Sequence, residues 1–243
     1  MNYEKLQVHP QCLMVFVDET GHEEFADPNY PVFGFGGCVI PAFAASGVLE
    51  QPWREMKERH FGGADLALHA SNLRSPTSQQ LEAPCSFFRG SKFGRFAVTM
   101  CRDVSLPEGK SSIEVMSGAL RNTWSELASR VVPTPVEIAF LFEASARGSP
   151  LIEKYFGPTI VHVGGQRIPA RNGFVEKRFR LEALEVADFV AHAAGGQAHW
   201  HHRGKIGFRK DFEVVFRTND LWSSWFHLGS APFEPEEPGT GSG

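Results

Sequence analysis

Cys12-Leu13-Met14-Val15-Phe16-Val17-Asp18-Glu19-Thr20-Gly21 decides how the rest of the chain is read. Its first six residues are apolar and mostly bulky or β-branched, the pattern of a strand covered on both faces. A strand of that kind belongs to an α/β sheet, and Asp18 leaves the core where the strand ends. An ionised carboxylate without a partner costs roughly several kcal/mol there, even after relaxation. A cation or a ring of N–H donors is therefore expected beside it. Asp18 and Glu19 are neighbours in extended chain, so they point to opposite faces. Asp18 is the expected ligand, and Glu19 an outer or salt-bridging residue.

Outward from this strand, helical and extended patterns alternate. A second strand, 32–40, carries Gly34, Gly36 and Gly37, which predicts a bulge or the close approach of another backbone. Helices are expected over 47–60, from Ser75-Pro76-Thr77 to Phe88, over 111–131 with Ser111 at its cap, over 151–155 and over 181–198. Strands are expected at 93–101, at 136–142 ending in Glu143, and at 175–180. The stretch 164–173 reads as a basic loop or hairpin. The fold class that follows is α/β, a mixed central sheet flanked by helices. Residues 1–11 form a polar lead-in, 12–228 one domain, and 229–243 an acidic Pro/Gly-rich tail expected to be disordered.

The chain has 243 residues, 42% hydrophobic and 21% charged, enough for a full core. A formal charge of −4 excludes nonspecific coating of nucleic acid but leaves room for a local basic groove. Cys12, Cys38, Cys85 and Cys101 show no paired spacing and read as reduced thiols. With no signal peptide and no apolar run of the ~20 residues a bilayer needs, the expected compartment is the cytoplasm, without membrane contact.

Three acids occupy comparable places: Asp18 and Glu143 at the ends of apolar strands, and Asp188 in the apolar final helix. On that helix Glu185, Asp188 and His192 fall at i, i+3 and i+7, along one stripe. Two or three carboxylates at adjoining strand ends suit Mg2+ or Mn2+, hard cations that prefer oxygen. Two such ions activate a water and stabilise the leaving oxygen of a phosphodiester.

These motifs, Asp18-Glu19-Thr20-Gly21, the glycine-rich 33–40, Leu68-His69-Ala70-Ser71, Glu143 and Leu184-Glu185-Val186-Ala187-Asp188, resemble in order and spacing a bacterial family known as domain of unknown function 3800. The resemblance covers about residues 12–198 and implies an RNase H-like fold, with acids on strand one, a later strand end and the C-terminal helix. It places Asp18, Glu143 and Asp188 as catalytic metal ligands for Mg2+ or Mn2+, and His69 beside them as a proton or water handler. Two departures stand out. Thr20 replaces the usual Ser and keeps its hydroxyl. Glu185 replaces the usual Gln and adds a charge, which makes it a further candidate ligand.

The expected function is a metal-dependent nuclease acting on RNA or DNA. The alternative is a non-catalytic nucleic-acid or protein-binding module of the same fold; a metal-free carboxylate hydrolase ranks third. Candidate nucleic-acid contacts are Arg74, Arg171, Lys177 and Arg178, part of a basic stretch from Arg167 to Lys210 interleaved with Phe174, Trp200 and Phe208. His199-Trp200-His201-His202 has no Cys or carboxylate at a coordinating offset and reads as a solvated loop rather than a zinc site.

Overall fold

The computed structural model describes residues 8–73, 76–131, 135–144, 148–156, 159–163, 165–217 and 223–229. Among them the strands are β1 (Cys12–Gly21), β2 (Val32–Pro41), β3 (Gly94–Cys101), β4 (Glu137–Glu143), β5 (Thr159–Val163), β6 (Gln166–Val175) and β7 (Ser223–Leu228). The α-helices are α1 (Ala42–Ala45), α2 (Gln51–Phe61), α3 (Ser78–Gly90), α4 (Ser112–Val131), α5 (Gly148–Phe156), α6 (Glu182–His202) and the single turn α7 (Lys210–Phe212). One mixed sheet runs in the order β5-β6-β4-β1-β2-β3-β7. The β1–β2 and β2–β3 pairs are antiparallel, while β1–β4, β4–β6 and β3–β7 are parallel.

Strand alternation sorts the core into two layers. Leu13, Val15 and Val17 of β1 join Phe140, Phe142 and the inward residues of α4 and α5 on one face. Phe16 and Leu141 lie on the other, with α6, Trp53 of α2, and Phe87 and Phe88 of α3. Phenylalanine supplies much of both layers, and Trp53 meets Phe87, Phe88 and Phe189 edge-on. α3 starts with a capping box, Thr77 Oγ1 accepting from Gln80 N while Gln80 Oε1 accepts from Thr77 N.

The glycines of β2 resolve as close approach, since the registers with β1 and β3 run without a bulge. A β-carbon at Gly36 would stand 2.4 Å from Cα of Ala191, so α6 rests directly on the sheet there. At Gly195 the same helix meets the hydroxyls of Thr20 and Tyr30. These two contacts fix both the height and the rotation of α6 over β1 and β2.

Three expectations need correction. β6 ends at Val175, whose carbonyl accepts from Ala144 N as β4 itself ends; residues 177–179 then form a 3-10 turn closed by Arg180 at φ +46°, not a strand. The segment 199–202 is the last turn of α6, not a loop. β7, unanticipated, extends the sheet edge beside β3. Residues 164–173 fold as the β5–β6 hairpin except for Gly164, which lies outside the described residues. Most of the expected lead-in and nearly all of the expected tail lie outside them too. Among the described residues no helix is long and apolar enough to cross a membrane.

Candidate functional site

In the parallel β1–β4 ladder Val17 pairs with Phe142, so Asp18 and Glu143 are the next residues at the same end of adjacent strands. By alternation both face the α6 layer with Phe16 and Leu141. α6 crosses them so that Asp188, three residues before the Gly36 contact, reaches the same place. Asp18, His69, Glu143, Lys177, Glu185 and Asp188 all line one small cavity of about 50 Å3. The strand-end and helix acids expected from the sequence therefore line the same cavity.

Asp188 is held by the backbone N–H of Ala70, which donates to its Oδ2 at 2.7 Å. His69 Nδ1 stands 3.8 Å from the same oxygen, with about a third of its side chain exposed. The segment 68–71 is thus docked against α6 through Asp188. Lys177, in the 3-10 turn after β6, places Nζ 2.8 Å from Glu143 Oε2. That bond, with the added pull of Asp18 and Asp188, raises the lysine pKa despite partial burial. Asp18 is also shifted upward, which disfavours its charged form: burial, then repulsion from Asp188 and Glu143, push its carboxyl up to about 8, although Glu19 N–H donates to Oδ1 at 2.9 Å. The cavity is lined by five acidic residues, Asp18, Glu143, Glu176, Glu185 and Asp188, against the cations Lys177 and Arg180.

Glu185 is brought to the cavity wall, but its charge has a partner of its own. Oε2 accepts from Lys57 Nζ at 2.8 Å and from Trp53 Nε1 at 2.7 Å, all buried under α2. Oε1 is buried and has no hydrogen-bond partner. Sequence reasoning missed Lys57 as a functional neighbour. Its signal is faint: a lysine beside Met56 on the apolar stripe that contains Trp53. The stripe of Glu185, Asp188 and His192 is divided, because His192 opens into a separate, larger groove bordered by Trp200 and Phe208.

The basic candidates disperse. Lys177 reaches the acids, and Arg178 is exposed and paired with Glu176 at 2.9 Å. Arg171 bonds Glu137 at 3.2 Å, at the opposite end of β4 from Glu143. Arg74 lies outside the described residues. Phe174 stacks on Phe142 in the α4–α5 layer, on the far face from Trp200 and Phe208, so no continuous aromatic track forms.

A second cluster has tighter spacing. Cys101, Asp103 and His202 could hold a metal ion, since one ligand atom from each lies within 4.8 Å of the others. Among the described residues no other His, Cys, Asp or Glu trio meets that spacing, Asp18, Glu143 and Asp188 included. Glu143 is instead engaged by Lys177. Compared with protein-family models, curated proteins and solved structures, the chain shows no match in any of the three.

Proposed function

We infer that the acidic cavity is the centre of a divalent-metal-dependent phosphodiesterase acting on nucleic acid, with Asp18, Glu143 and Asp188 as ligands of Mg2+ or Mn2+. The observation that carries this reading is the excess of acidic groups lining one small cavity. Three carboxylates from β1, β4 and α6 share a small cavity, and Asp18 is pushed to about 8 by burial and its acidic neighbours. A hard cation with oxygen preference relieves that penalty directly. The orphaned, buried Oε1 of Glu185 on the cavity wall is a further oxygen suited to the ion or to one of its waters.

When bound, the ion lowers the pKa of a water and stabilises negative charge on phosphoryl and leaving oxygens. The protein's own groups supply the rest. Ala70 N–H fixes the carboxylate plane of Asp188. His69, about a third exposed, would transfer a proton between solvent and the reacting phosphate. Lys177 meets either Glu143 or a phosphate, and the substrate's negative charge favours the exchange.

The experiment is cleavage of end-labelled single- and double-stranded DNA and RNA by purified protein with Mn2+. Cleavage is expected, abolished by EDTA and reduced at least about a hundredfold by Asp18→Asn. Activity that survives both EDTA and that substitution overturns the assignment.

A further inference from the structure

We propose that Cys101, Asp103 and His202 form a second metal site, selective for Zn2+-class ions, that clamps the end of β3 to the C-terminus of α6. The acidic cavity plays no part in it. Asp188 and His202 are separated by fourteen residues of one continuous helix, about 21 Å at 1.5 Å per residue. The clamp stands whether or not that cavity cleaves anything.

Three observations converge. Cys101 is the last residue of β3 and is 2% exposed, which makes it the fixed anchor of the group. Its Sγ has only a long contact, 3.9 Å, to the carbonyl of Ala198, one turn before His202 on α6. Asp103 Oδ1 and His202 Nδ1 face each other at 3.7 Å. That is too long for a hydrogen bond. It is close to the edge of a tetrahedron around zinc, about 3.4 Å for bonds of 2.0–2.2 Å. Asp103 in its turn and His202 at its helix end are both exposed, so each can move toward the buried sulfur.

The donor set selects the ion. A thiolate with an imidazole and a carboxylate matches Zn2+ or Co2+ and disfavours Mg2+ and Ca2+, which take oxygen. The helix also helps: the C-terminal end of α6 carries partial negative charge, and a cation there is favoured. Three protein groups leave a tetrahedral ion one position for solvent. With its sulfur buried and its other ligands on a turn and a helix end, the site is a tie between elements.

The test uses the full chain, stripped with chelator and titrated with Co2+, whose thiolate charge-transfer absorption reports sulfur ligation. One equivalent is expected to give that band, to be displaced by Zn2+, and to persist unchanged in Asp18→Asn. His202→Gln, at an exposed helix end where folding is not at stake, is expected to weaken binding about tenfold or more. Cys101→Ser is expected to abolish the band. A band that is absent from the wild-type protein, or unaltered by His202→Gln, overturns the proposal. So does a band that survives Cys101→Ser.

Discussion

Lys57 Nζ lies 2.8 Å from Glu185 Oε2, and both side chains are sealed between α2 and α6. Glu185 carries a buried carboxylate, and this lysine supplies the compensating charge.

Breaking that pair from one side should be costly. Lys57→Met leaves Glu185 buried and uncompensated and is expected to lower unfolding stability by about 3–5 kcal/mol. Lys57→Met combined with Glu185→Gln should recover most of the loss, because Trp53 Nε1 still finds an acceptor. Urea denaturation of the two single variants and the double variant measures the coupling, and additive losses would show that the pair is not the cause.

Asp18 gives the metal-free protein a pH signature. Its folded pKa, near 8, is raised above the ordinary carboxylate value, so the folded state retains a proton that the unfolded chain releases. Stability from this group is complete below about pH 4 and falls as pH rises toward 8. In EDTA, melting temperature should decline across that window. Asp18→Asn should flatten the decline and stabilise the protein at pH 8 by on the order of 1 kcal/mol. An unchanged slope in the variant would assign the decline to other groups.

Lys177 separates stability from function. Its ammonium is mostly exposed, so the pair with Glu143 is worth little, about 0.5 kcal/mol or less. Lys177→Ala should leave the melting temperature within a degree or two, yet weaken nucleic-acid binding and flatten its dependence on salt. A large stability loss with unchanged salt dependence would make Lys177 a structural residue.

Gly36 is where the sheet admits α6. Gly36→Val drives a branched side chain into Ala191 backbone at 2.4 Å or less and cannot be relieved by a rotamer change. We expect a loss of about 2 kcal/mol or more, with any metal-dependent cleavage falling further as Asp188 is lifted from Asp18. Thermal melts and cleavage assays on the same preparation check both.

The acids were readable because strand ends obey local rules. An apolar run identifies a covered strand, and the period of two places Asp18 away from Glu19. The meeting of Asp18 with Glu143 needed only that β1 and β4 be parallel neighbours. The glycines of β2 announced a close backbone without saying whose. Lys57, by contrast, looks like any surface lysine until α6 covers it. β7 is a short edge strand whose place depends on β3 and not on its own pattern. His202 was set aside because its neighbours in sequence include no suitable donor. Cys101 and Asp103 reach it from a hundred residues away, across a fold that sequence spacing does not display.

The close approaches of α6 at Gly36 and Gly195 make the helix intolerant of changes in length. One residue inserted between Asp188 and Ala191 would turn the acid by about 100° relative to the sheet, while the packing at Ala191 held still. The loop from 102 to 111 carries no such phase, and residues can be added there without rotating anything. Length variation should therefore collect in loops, whereas the interval from Asp188 to Gly195 is expected to keep its count even where its residues change.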